Sequence, residues 1–136
     1  MTRVNMFDGG IEAGEPVKVL VVEDEALIGA MVSDALLDRG FDVQVVASAD
    51  DAMRFLNSGL RIDVLFTDIN IAGNVDGTEL AQQARDVRPD LPIVFASGRL
   101  HLLDDLRGTP RTACLPKPYS PAQVCATVEG LFATLH

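Results

Sequence analysis

Apolar positions along the chain alternate between two rhythms. Residues 17–22, Val17-Lys18-Val19-Leu20-Val21-Val22, form a short run dominated by β-branched side chains and followed by acidic residues. Such a run predicts a buried strand. Leu27, Ile28, Met31, Val32, Ala35 and Leu36 then recur at helical spacing, and Gly40 ends that helix. Residues 41–47 predict a second strand. Ser48 with Asp51 three positions on resembles a capping box, opening a helix that turns Ala52, Phe55 and Leu56 inward and stops near Gly59.

Residues 62–67 predict a third strand, which ends in Asp68 and runs into a loop rich in Asn and Gly. A helix is predicted over 77–87, closed by Arg88-Pro89. Residues 92–97 predict a fourth strand, 101–106 a short helix and 112–115 a fifth strand. Ser120, Pro121 and Gln123 then start the last helix, with Val124, Val128, Leu131, Phe132 and Leu135 on its inner face.

The pattern is a strand and a helix repeated five times. It predicts an α/β domain with a parallel sheet, helices on both faces and right-handed crossovers. Residues 1–16 show no periodicity and carry Gly9, Gly10, Gly14 and Pro16, so they are read as a flexible N-terminal arm before a single domain over 17–136.

Composition narrows the function. The 136 residues carry a net charge of −9, which argues against direct nucleic-acid binding because that requires Lys and Arg to neutralise phosphates. No apolar run approaches the length of a membrane span, and the N-terminus lacks a secretion-signal pattern. Cys114 and Cys125 have neither metal-ligand spacing nor a C-x-x-C pattern, and are expected to be reduced in a cytoplasmic protein.

In open parallel sheets, ligands sit beyond the carboxyl ends of the strands. Here strand one ends in Glu23-Asp24, strand three in Asp68 and strand four in Ser97, while Lys117 follows strand five. Each has an ordinary alternative. Asp24 could cap the first helix, Ser97 could be a loop hydroxyl and Lys117 a surface lysine. Together they describe a chemistry. Neighbouring carboxylates repel, and a hard dication such as Mg²⁺ relieves that conflict. A central Asp can then attack a phosphoryl group, with a serine hydroxyl and an ammonium holding its oxygens.

The segments Val19-Leu20-Val21-Val22-Glu23-Asp24-Glu25, Asp63-Val64-Leu65-Phe66-Thr67-Asp68-Ile69-Asn70, Asp76-Gly77, Ile93-Val94-Phe95-Ala96-Ser97-Gly98 and Pro116-Lys117-Pro118-Tyr119 resemble the receiver domain of bacterial two-component response regulators. The resemblance spans about 17–135. It implies the flavodoxin-like three-layer fold with strand order 2-1-3-4-5, an order for which a receiver is itself a standing example. It further implies that Asp68 accepts a phosphoryl group from a sensor histidine kinase or histidine phosphotransferase. Glu23, Asp24 and Asp68 would bind Mg²⁺ with the backbone carbonyl of Asn70. Ser97 and Lys117 would hold the phosphoryl group, with Lys117 placed by a cis bond to Pro118.

Four features depart from the commonest receiver text. Glu stands at 23 in place of Asp. The loop over 71–77 is one residue longer and lacks a proline. Cys114 occupies a position where an aromatic ring usually swings on activation. Arg99 follows Ser97-Gly98, and with Asn70 it would flank the path of the hydrolytic water.

The expected function is a stand-alone response regulator that signals through a downstream protein partner, self-catalysed in its phosphorylation and dephosphorylation rather than an enzyme in the ordinary sense. The alternative is a phosphorelay intermediate or phosphate sink, and receivers often form a homodimer through the fourth and fifth helices. Two other classes fit poorly. A flavin site needs a Ser/Thr/Gly-rich loop where Glu23-Asp24-Glu25 stand, and an aspartate-nucleophile phosphatase needs a second Asp where Asn70 stands.

Overall fold

The computed structural model describes residues 15–71, 73 and 75–135. Most of the predicted arm therefore lies outside the described residues. The elements are β1 (Lys18–Val22), α1 (Ala26–Asp38), β2 (Asp42–Val46), α2 (Ala49–Asn57), β3 (Val64–Asp68), α3 (Gly77–Val87), β4 (Ile93–Ser97), α4 (Leu100–Leu106), β5 (Thr112–Pro116) and α5 (Pro121–Leu135). All neighbouring strands are parallel, in the order β2-β1-β3-β4-β5.

Strand alternation divides the core into two layers. Val19, Val21, Phe66 and Val94 meet Val32 and Leu36 of α1 and Val124, Val128 and Phe132 of α5. Leu20, Leu65, Ile93 and Phe95 face the other way, onto Ala52 and Leu56 of α2, Leu80 and Ala84 of α3 and Leu103 of α4. The three central strands are thus apolar on both sides, which is why they read as continuous runs.

The helix starts follow side-chain chemistry. Ser120 and Gln123 cap each other reciprocally, at 3.2 and 2.8 Å. Ser48 accepts from the Asp51 amide at 3.1 Å, but the Asp51 carboxylate takes Arg54 at 2.9 Å, so only half of the predicted box is found. Asp76 accepts from the amides of Thr78 and Glu79, both at 2.9 Å, and caps α3. Hydrogen bonding from Thr78 holds the Asp76 carboxyl below its usual range, against the opposing effect of burial.

One inward assignment changes. Leu135 is exposed, and Cys125 takes the inner position instead, its thiol 3.2 Å from the Ala35 carbonyl. Phe55 keeps its inward place, half-buried against the core layer of Ala52 and Leu56, with the Lys18 ammonium 5.5 Å from its ring centre. At the lower edge, Glu15 pairs with Arg61 at 2.8 Å, and Arg61 with Asp63 at 3.0 Å. No helix among the described residues is long and apolar enough to cross a membrane.

Candidate functional site

The four predicted groups arrive at one edge because the register aligns their strands. Val22 pairs with Thr67, Asp68 with Ala96, and Ser97 with Pro116. Glu23, Asp68, Ser97 and the adjacent Thr67 are the buried polar residues among those described. Burying ionisable groups is expensive unless they are paired, so their place here marks a site rather than a core.

Lys117 ties the cluster together. Its ammonium stands 2.6 Å from Asp68 Oδ2 and 3.5 Å from Glu23 Oε1. The Lys117 amide donates to the Ser97 carbonyl at 2.9 Å, and the Lys117-Pro118 bond is cis, as the resemblance implied. The other Asp68 oxygen, Oδ1, accepts from the Asn70 amide at 3.1 Å. Glu23 Oε2 accepts from the Glu25 amide at 3.2 Å. The Ser97 hydroxyl oxygen accepts from the Arg99 amide at 3.0 Å.

The charges are unequally served. Burial pushes Glu23 above its usual carboxylate range, and the Glu25 amide and Lys117 do not offset it fully. For Lys117, burial pulls downward, yet Asp68 and Glu23 hold the ammonium above its usual value. The two directions describe one imbalance: a single cation serves two buried carboxylates. Glu23 therefore binds its proton more tightly in the folded state than in the unfolded one. Stability falls as pH rises from below 4.5 through the raised value. The Glu23→Gln protein is expected to lack that fall, so its urea midpoint gains on wild type across the window. Parallel midpoint curves would contradict this.

The donor set suits a hard cation. Glu23 and Asp68 are buried and short of positive charge, and Asp24 stands exposed beside them, open to solvent. Asp24 is not the cap of α1: Glu25 occupies that position, with no side-chain cap bond. Among the described residues, however, no three acidic side chains are gathered closely enough to hold an ion as they stand. The ammonium occupies the centre instead.

Sequence reasoning named Asp76-Gly77 without giving it a role. Gly77 donates to the Ile69 carbonyl at 2.7 Å. A Cβ there would press into the Asp68 carbonyl oxygen and stand 2.8 Å from Ile69 Cα. The start of α3 thus leans directly on the backbone of Asp68. The signal was present, since an Asp-Gly pair opening a helix allows a close approach; what it approached was not visible. Tyr119 was likewise unassigned. Its ring meets Phe66 edge-on at 6.1 Å, and burial pushes its hydroxyl up to about 12.

The family model for the response regulator receiver domain matches residues 19–129. The chain belongs to this family. A receiver protein from Sinorhizobium medicae WSM419 superposes with a TM-score of 0.81 at 35% identity, covering 90% of this chain and 98% of that one. The chemotaxis response regulator CheY4 of Vibrio cholerae gives 0.75 at 25% identity, over 86% and 99%. Among curated relatives, the sensor kinase CckA of Brucella abortus is 31% identical over 83% of this chain, and the transcriptional regulatory protein TrcR of Mycobacterium tuberculosis is 31% identical over 87%. The receiver chain spans only 12% and 46% of those two proteins.

The departures of this receiver have structural consequences. Cys114 is half-buried opposite Phe95 in the sheet register, its thiol 3.6 Å from the Leu103 carbonyl of α4. Burial raises its pKa, so it remains a thiol. Arg99 is exposed, two residues beyond Ser97.

Proposed function

We propose that Asp68 is the phosphoacceptor of this receiver. One observation carries the reading: Asp68 is buried at a strand end, with one oxygen on an ammonium and the other on a backbone amide. The ammonium orients the carboxylate and balances its charge at the buried strand end, where an oxygen can serve as a nucleophile. A carboxylate oxygen attacks the phosphorus of a phosphohistidine. The P–N bond breaks, the imidazole leaves with its electron pair and takes up a proton, and an acyl phosphate remains on Asp68.

Lys117 then follows the charge from carboxylate to phosphoryl oxygen, a role suited to a flexible point charge. Ser97 gives up its turn with the Arg99 amide and offers its hydroxyl to a second oxygen. Mg²⁺, when bound, supplies charge neutralisation, and Glu23, Asp24, Asp68 and the Asn70 carbonyl are the groups that would hold it.

The test is incubation with Mg²⁺ and a small acyl phosphate, followed by intact mass. Wild type is expected to gain one phosphoryl group and Asp68→Ala none. Labelling that persists in Asp68→Ala would sink the assignment.

The output is a partner-binding surface biased by phosphorylation. A sensor histidine kinase or histidine phosphotransferase is the donor, and a cytoplasmic protein partner reads the state, with pairing through α4 and α5 as one route. The stand-alone form of the regulator is tested by the size of the native protein in its cell.

Cys114 favours a second reading. With no ring to swing at this position, a relay that passes the group on to a histidine needs no such movement. Rapid transfer from phosphorylated protein to a histidine phosphotransferase is its signature; slow transfer removes it.

Arg99 tunes the lifetime of the acyl phosphate in this scheme, because the receiver resemblance sets this exposed residue beside the path of the hydrolytic water. Arg99→Ala is expected to change the dephosphorylation rate severalfold. An unchanged rate would dispose of the idea.

A further inference from the structure

The proposed Mg²⁺ reading leaves open why this receiver carries glutamate at 23. The contacts of that side chain suggest an answer. The carboxylate lies beyond the end of β1 and is held at both oxygens. Oε2 is fixed by the Glu25 amide at 3.2 Å, and Oε1 faces the Lys117 ammonium at 3.5 Å. The side chain is nearly all buried, at 3% exposure, whereas that of Lys117 is 25% exposed. The ammonium is therefore held from two sides, by Glu23 and by Asp68. An aspartate would end one methylene sooner and, from the same backbone, fall short of this contact. The extra reach of Glu23 thus helps keep a cation in the middle of the carboxylates.

We propose that Glu23 sets the Mg²⁺ threshold of this receiver by holding Lys117 in the cluster, so that the metal must compete with an internal ammonium. The lysine and the dication answer the same demand for positive charge. Whatever holds the first in place weakens the second, because two like charges at a few ångströms repel. The inference rests on the proposed metal site and adds to it the residue that tunes its affinity. Its consequence is a receiver that loads only at higher Mg²⁺ than the same chain with aspartate at 23.

The experiment is a double-mutant cycle read by calorimetric Mg²⁺ titration, with the emission of Tyr119, the single tyrosine in a chain without tryptophan, as a second probe. Far-UV circular dichroism and urea midpoints check folding of each protein. Glu23→Asp is expected to bind Mg²⁺ about two- to fivefold more tightly than wild type, the range expected when a partly exposed ion pair is released. Lys117→Met is expected to bind more tightly still. In the Lys117→Met background, Glu23→Asp is expected to give no further gain.

Three results overturn the proposal. One is Glu23→Asp binding no more tightly than wild type. Another is the same gain with Lys117 absent, which would assign the effect to metal–ligand distance instead of the ammonium. The third is no Mg²⁺ uptake by any of the proteins. That outcome removes the metal site itself, whereas the first two leave it standing.

Discussion

Replacing Lys117 with methionine is expected to lower stability by about 3 kcal/mol and to abolish labelling by an acyl phosphate. Methionine keeps most of the length of the side chain and removes its charge. Asp68 and Glu23 then lie buried with no ammonium between them. Removing one partner of a buried ion pair costs about 3–5 kcal/mol, and the lower end applies because Lys117 is a quarter exposed. The loss has a recognisable signature. Without the ammonium, Glu23 loses a group that lowers its proton affinity and holds its proton still more tightly in the folded state than in the unfolded one, so the variant regains stability as pH falls through that range. Added Mg²⁺ should also raise its melting temperature more steeply than that of wild type, since the dication restores the missing charge. Urea midpoints at several pH values, with and without Mg²⁺, measure both effects. A midpoint equal to that of wild type at neutral pH would mean that the cluster does not depend on its lysine.

Gly77→Ala is expected to be the most damaging single-methyl change near the site. Two effects oppose each other. Alanine favours a helix over glycine by about 1 kcal/mol. Against this, the new methyl meets the Asp68 carbonyl and stands 2.8 Å from Ile69 Cα, both of them backbone atoms. These atoms cannot step aside, because the Ile69 amide is bonded to the Ala96 carbonyl at 2.9 Å and Asp68 closes a central strand. Overpacking of this kind costs about 1–3 kcal/mol. The upper part of that range fits a clash with backbone, so the net loss is about 2 kcal/mol. The more telling effect is on chemistry. The clash pushes on the residue that carries the nucleophile, and misplacement of that size is expected to slow labelling about ten- to a hundredfold. Single-turnover labelling at saturating Mg²⁺ separates this from instability. A rate within twofold of wild type in the folded variant would show that Asp68 is not positioned by α3.

These two residues also show where sequence reading reaches and where it stops. Lys117 was legible because lysine is scarce here, with only Lys18 besides, and it stands at a strand end. Gly77 was legible as punctuation only, since glycine at a helix start has many causes. Spacing alone places Leu135 inward, while the structure turns it out and seats Cys125 on Ala35 instead. Spacing fixes which residues share a face but not how far that face extends, which depends on where the neighbouring helix ends. The Ser48 box forms only in part for a similar reason. Asp51 has a local choice between an amide and the Arg54 guanidinium, and charge decides it.

The order of elements, the parallel sheet and the identity of the strand-end residues can all be read from the letters of the chain. Apolar periodicity and capping are local, and local chemistry is written in neighbouring letters. Only the folded chain shows that Lys117 spans Asp68 and Glu23, that Asp24 is exposed while Glu23 and Asp68 are buried, and that α3 leans on Asp68 through Gly77. Those facts are distances between segments far apart in the chain. They follow from sheet register and from the competition of several carboxylates for one cation, which no single stretch of sequence contains.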